Sequence, residues 1–417
     1  MIKKKIVNIA SLFLNSIFGK GFVLIVNILM ARYTTTDLYG RFVLIRSAIN
    51  VAENSFSTTV NSVVMTEAAI EKENHKYNVI PFLISGVIGV LVAIGIIVFL
   101  HLNSLINITS SNLSAVFIIP FFVISCFFNN ALLSINTGKE VFPPILKSST
   151  ISFLITTLII FFNKNNLNIY TALLFLGIYH CLELCFKLYF NRNLLQPFYS
   201  RSNLYIDTLD LLKKSKPLII SGFFNAIVFF IIRYLLSLTD DGYKKLAIFD
   251  IYFQAFVILM IIIINLVNLS STALIKKEIK ELSYFCFYKR MSFYILPTTI
   301  TFSAVIYLLS GYFVNFVNPL LYLKELEFYI PIMAFVFSLS LIQTRSMIVF
   351  GFQKTLPKSV FISSLITVFY AYVFVEQPQD LSLSYIIFYI SSIILNTIFI
   401  SFTGGNLGYV VPKNSNN

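Results

Sequence analysis

The 417-residue chain contains no tryptophan, only three histidines, and charged residues at 12%. Soluble domains carry roughly twice that charge fraction. So few charged groups cannot cover a water-facing surface, which excludes a soluble enzyme, a secreted disulfide scaffold and a disordered chain. Acidic residues are scarce too, 18 against 31 Lys+Arg, for a net charge of +13. There is no P-loop, no HExxH, and no His/Cys set with metal-ligand spacing. The four cysteines (Cys126, Cys181, Cys185, Cys286) are read as packing residues, because three lie inside apolar runs. Histidine-based catalysis has few candidates in His75, His101 and His180. No catalytic residue, metal site or cofactor is expected, and the chain is read as a non-enzyme.

Long apolar runs fill the sequence. Hydrophobic residues make up 57% of it. Twelve helices are expected over 6–31, 41–67, 79–101, 113–137, 145–163, 168–191, 217–237, 243–273, 289–313, 325–352, 355–376 and 380–402. Each can cross the roughly 30 Å of a bilayer's hydrocarbon. Membrane β-strands would be shorter and would alternate, whereas Ile84–Leu100 and Phe256–Ile264 are apolar on every face. The opening MIKKK precedes a long first span broken by Asn15 and Lys20, so that span is read as a retained helix rather than a signal peptide.

Lysine and arginine orient the bundle. With the N-terminus inside, the inside segments carry twenty of these residues, among them Lys3 to Lys5, Lys213, Lys214, Lys216 and Lys413. The outside segments carry six: Arg32, Arg41, Lys164, Lys244, Lys245 and Lys324. This bias predicts both termini in the cytoplasm. The segment 274–290 is basic and amphipathic and is expected along the inner surface.

An internal echo suggests duplication. Gly21-Phe22 and Arg32-Tyr33 in span one recur as Gly222-Phe223 and Arg233-Tyr234 in span seven, and an acidic turn follows each. The expected organisation is therefore two parallel six-helix lobes, 1–191 and 217–402, with a cytoplasmic linker at 192–216 and a cytoplasmic tail at 403–417.

Ionisable groups inside spans are costly, so they face a cavity or a partner. Here they are Lys20, Arg46, Glu53, Glu183, Lys187, Arg233, Asp250 and Arg345. Glu183 and Lys187 are one helical turn apart and are expected to pair, with His180 on the same face. Lys187 also suits snorkelling to the inner surface, and Arg46 and Arg233 partly suit snorkelling to the outer one. Arg233 and Asp250 could pair across the hairpin between spans seven and eight. Lys20, Arg46, Arg233 and Arg345 are the candidate substrate-binding groups. Facing one cavity, they would favour an anion such as phosphate or pyrophosphate. Glu53, Asp250 and Glu183 are candidates for ion coupling or charge balance.

The segment from Ile28 to Ala69, with Ala31-Arg32 and Tyr39-Gly40-Arg41-Phe42, resembles the first hairpin of bacterial polysaccharide flippases. These Wzx-type proteins belong to the MOP exporter superfamily (multidrug, oligosaccharidyl-lipid and polysaccharide exporters). Lys245-Leu246-Ala247-Ile248-Phe249 looks like the second-half counterpart. The resemblance implies an all-α, V-shaped bundle working by alternating access in the bacterial inner membrane. Its cargo would be undecaprenyl-pyrophosphate-linked oligosaccharide of O-antigen, capsule or exopolysaccharide, passed from the inner to the outer leaflet. The pathway's polymerase and chain-length regulator are candidate partners; no nucleic acid is expected. A proton gradient, a sodium gradient or the cargo's own concentration difference could drive transport. The alternatives are a multidrug exporter of the same fold, disfavoured by five embedded bases against three acids, and an O-antigen polymerase or ligase, disfavoured by short outside loops. A lipid II flippase would need two further helices.

Overall fold

The computed structural model describes residues 2–53, 63, 65, 80–105, 113–139, 141–192, 204–278 and 283–402. They form twelve α-helices: α1 (Ile2–Tyr33), α2 (Thr36–Ala52), α3 (Ile80–Leu102), α4 (Leu113–Lys139), α5 (Pro143–Phe162), α6 (Ile169–Phe190), α7 (Leu204–Ser237), α8 (Gly242–Glu278), α9 (Tyr284–Val317), α10 (Tyr329–Val349), α11 (Leu356–Phe374) and α12 (Pro378–Phe402). Among the described residues, nine helices are long and apolar enough to cross a membrane. At 1.5 Å per residue, the 37 residues of α8 reach about 55 Å, well past the hydrocarbon.

The ends of the helices have local causes. Thr35 caps α2 by accepting the Leu38 amide on its hydroxyl at 3.3 Å. Asn168 and Thr171 form a reciprocal capping box at the start of α6. One boundary differs from the sequence expectation. Helix α7 begins at Leu204, inside the expected 192–216 linker, and runs through Pro217. Helix α2 is described to Ala52; of the expected span beyond it, Glu53, Val63 and Met65 are helical and the rest, including its end at residue 67, lies outside the described residues. The basic segment 274–290 is described only in part, and the tail 403–417 lies outside the described residues.

The helices of each half pack in the same order. In the first, α1 packs on α5, α5 on α6, α6 on α4 and α4 on α3; in the second, α7 packs on α11, α11 on α12, α12 on α10 and α10 on α9. Burial repeats in register. The buried positions 39, 40, 42–45 and 47–49 of α2 recur 207 residues later in α8, from 39 to 246 through 49 to 256. All eight buried positions of α6, from Ala172 to Lys187, recur 209 later in α12, from Leu381 to Asn396. All six buried positions of α5 recur 211 later in α11, from Ile145 and Leu356 to Ile160 and Ala371. The two sets of helices thus present the same faces to the same neighbours, as a parallel repeat requires.

The halves meet through α2 against α7 and α8, and α1 against α8. On the face where α1 ends and α2 begins, Gly40 lies directly on the Tyr243 backbone, and any Cβ at residue 40 would overlap that carbonyl. The Arg41 guanidinium covers the Tyr243 ring at 5.1 Å. Nearby, the Asn318 amide donates to the Ala31 carbonyl at 3.0 Å.

Cysteine placement corrects the packing reading. Only Cys126 is buried; Cys181 is half-buried, while Cys185 and Cys286 are exposed. Free thiols tolerate an apolar surrounding, so a bilayer-facing position serves as well as a core one.

Candidate functional site

The charges gather at the junction of the halves. The α2 face that packs on α7 and α8 carries Tyr39, Arg46 and Ser47 within two helical turns. The Tyr39 hydroxyl donates to Asp250 Oδ2 of α8 at 2.8 Å, and the Gln254 side-chain amide donates to the same oxygen at 2.8 Å. Arg233 of α7 donates from Nη1 to the Ser47 hydroxyl at 2.5 Å. Its guanidinium lies 4.7 Å from the centre of the Phe253 ring, 5.6 Å from Phe249 and 5.9 Å from Tyr385. Such ring faces stabilise a cation without cancelling its charge.

The expected pairing of Arg233 with Asp250 is therefore corrected: no direct salt bridge joins them. The first half supplies the hydroxyls of Tyr39 and Ser47 to the carboxylate and guanidinium respectively, and the second half's own rings take up the rest of the guanidinium. Nor does Arg233 snorkel, being only 6% exposed.

Arg46 is half-buried and donates from Nη1 to Asn27 Oδ1 of α1 at 2.5 Å. It lies within electrostatic range of Asp250, Arg233 and Glu53. Glu53 in turn is within range of Lys20 and His180, and the Asn130 amide of α4 donates to it at 3.4 Å. Lys20 is exposed. Arg46, Asp250 and Arg233 thus stand together at the junction, with Glu53 and Lys20 on its first-half side. The repeat leaves this cluster one-sided, because the positions matching Arg46 and Asp250 in the other half are Phe253 and Val43 at the same 207-residue spacing.

Two of the expected site residues sit elsewhere. Arg345 of α10 is buried in the second half and donates from Nε to the Ser271 hydroxyl of α8 at 3.0 Å. Glu183 is buried in the first half, with Lys187 Nζ at 2.9 Å and His180 Nδ1 at 3.8 Å. The Glu183–Lys187 pair expected from their spacing is present. Snorkelling of Lys187 is corrected, since the ammonium is buried against the carboxylate one turn away. The Ser149 hydroxyl reaches Glu183 Oε1 at 2.5 Å and also touches Asn15 Oδ1.

Sequence reasoning passed over Asn27, Ser47, Asn130 and Gln254, and gave Tyr39 no site role. Asn27 and Gln254 had a signal, each being an amide within a mostly apolar run; the hydroxyl of Tyr39 had none. Among the described residues no group of three or more His, Cys, Asp or Glu could hold a metal ion.

No family model and no curated protein matches the chain. Solved structures do match over nearly its whole length. A eukaryotic MATE transporter, AtDTX14, has a TM-score of 0.71 at 13% identity, covering 97% of each chain. An outward-facing multidrug-resistance MATE transporter of the MOP superfamily has a TM-score of 0.66 at 14% identity, covering 95% of each. A MOP superfamily transporter from Pyrococcus furiosus, described by the reverse polarity of its binding pocket, has a TM-score of 0.65 at 13% identity, covering 96% of each. Twelve helices in the same packing order twice, with near-complete overlap on these structures, give this chain the fold of the MATE transporters of the MOP superfamily.

Proposed function

We propose that the protein is a flippase for an anionic lipid-linked oligosaccharide, carried by its pyrophosphate group. The observation that supports this is the basic surplus at the junction: Arg46 and Arg233 against Asp250, with Lys20 and Glu53 on its first-half side offsetting each other. A pyrophosphate headgroup would carry about two negative charges, by analogy with phosphoesters. Moving it bare through hydrocarbon is prohibitive, and a hydrated basic junction lowers that cost. The lipid tail stays in the bilayer through the cleft between the halves.

In this reading residues 1–191 and 217–402 are two bodies that rock against each other, joined through 192–216, with 403–417 as a cytoplasmic tail. Glu53 and Asp250 offset the bases when no cargo is bound, so that cargo can leave. A proton or sodium gradient is a further driving force to be tested. The membrane is the bacterial inner membrane, and the polymerase and chain-length regulator of the pathway are the partners.

A multidrug exporter has the same fold. It would take organic cations, and a net-basic junction suits them poorly. The Pyrococcus furiosus transporter is described as having a binding pocket of reverse polarity that suggests a different function. The deciding experiment uses purified protein in proteoliposomes. Undecaprenyl-pyrophosphate-linked oligosaccharide should cross leaflets, and Arg46→Ala or Lys20→Ala should reduce the rate at least about ten-fold. Transport of organic cations without movement of the lipid would overturn the reading in favour of the exporter.

A further inference from the structure

Arg46 depends on a residue with no charge of its own. Asn27 is completely buried in α1, and its Oδ1 is the acceptor for Arg46 Nη1 at 2.5 Å. Aspartate has almost the same shape and would accept the same bond. The difference between the two side chains at this position is therefore electrical. Arg233 is treated likewise, held by a serine hydroxyl and aromatic faces. Lys187 shows the opposite arrangement, its ammonium in contact with the Glu183 carboxylate and its charge cancelled on the spot.

We infer that Asn27 is a specificity-determining residue: its amide fixes the Arg46 guanidinium in place while leaving its positive charge uncancelled for an anionic cargo. The inference rests on the anionic-lipid reading above and adds the residue that keeps the junction basic. Lys20, Arg46 and Arg233 against Glu53 and Asp250 leave a surplus of one positive charge. An aspartate at residue 27, in contact with Arg46, would stay ionised and remove that surplus. It would do so without deleting any basic group. Because α1 carries both Asn27 and Lys20, seven residues apart and so on one helix face, one helix would present Lys20 itself and hold Arg46 of α2 beside it.

The test is binding of undecaprenyl pyrophosphate to the purified full-length protein, with uncharged undecaprenol as the reference for tail binding. Asn27→Asp should weaken binding of the pyrophosphate at least about ten-fold, as should Arg46→Ala, with undecaprenol binding unchanged. Asn27→Ala removes the tether and adds no charge; it should weaken binding about three-fold, a loss of position only. Loss in Arg46→Ala with wild-type binding in Asn27→Asp would overturn the inference and leave the flippase reading standing. Wild-type binding in Arg46→Ala would instead overturn the flippase reading itself. Should Asn27→Asp fail to fold, Asn27→Ala decides: binding equal to wild type means Asn27 does not position Arg46.

Discussion

The Tyr39 hydroxyl of α2 donates a 2.8 Å hydrogen bond to Asp250 of α8, across the boundary between the two halves. Among the described residues the other hydrogen-bond partner of Asp250 is Gln254, on its own helix. The bond therefore ties one half to the other through a buried carboxylate. A hydrogen bond to a charged group contributes about 1.5–3 kcal/mol. Tyr39→Phe should lower the melting temperature of the detergent-solubilised protein. With Asp250→Asn already present, the same change should cost clearly less, because the charge it served is gone. Equal costs in both backgrounds would mean the bond does not couple the halves.

Gly40 sits against the Tyr243 backbone with no room for a side chain. Gly40→Ala should destabilise the protein by about 1–3 kcal/mol, since neither backbone segment can move without shifting a long helix. Gly95 is the control, with nothing within 4 Å of a built Cβ. Gly95→Ala should leave stability unchanged or raise it by up to about 1 kcal/mol, as expected for a helix-interior glycine. Thermal unfolding of the two variants side by side checks both.

The Glu183–Lys187 pair is buried on both sides, at 5% and 2% exposure. Lys187→Ala should cost about 3–5 kcal/mol by stranding the carboxylate. Glu183→Gln together with Lys187→Met should recover most of that loss, because no charge is then buried. The readout is the amount of folded protein in the membrane and its melting temperature. A double variant as damaged as the single one would show that the pair has a role beyond mutual neutralisation.

Lysine and arginine placement predicts both termini in the cytoplasm. A reporter fused after Asn417 should be active on the cytoplasmic side, and one inserted at the α7–α8 turn, near Asp241, on the opposite side. Activity of the C-terminal fusion outside the cytoplasm would mean that the number of crossings is odd.

Much of the architecture was legible because a bilayer imposes it. With no water to satisfy the backbone, apolar runs of this length become helices whatever they pack against, so the expected spans agree with the described helices within a few residues, apart from the start of α7. The repeat was legible in part. The counterpart segment Lys245-Leu246-Ala247-Ile248-Phe249 holds the positions that the burial register pairs with the first hairpin, 246 with 39 and 249 with 42. The echo of acidic turns does not share that register. Thr36 and Asp37 lie in the first turn of α2, whereas Thr239 to Asp241 precede α8.

The list of embedded charges was a property of the chain, since hydropathy marks an ionisable group in an apolar run wherever it points. Their partners were not. Glu183 and Lys187 could be matched because helical geometry alone brings residues four apart together. Arg233 and Asp250, joined by a short hairpin, looked equally matched, yet each bonds to the other half. Which groups share a site depended on how α1 and α2 dock on α7 and α8, a contact between residues some two hundred positions apart. That docking placed Tyr39 on Asp250 and Ser47 on Arg233, while packing inside each half placed Asn27 on Arg46 and Ser271 on Arg345. Hydropathy and charge count determined the helices, and with them the cost of every buried charge. Tertiary packing, inside each half and between them, decided which neutral groups beyond helical reach offset that cost, because it alone brings residues distant in the chain together.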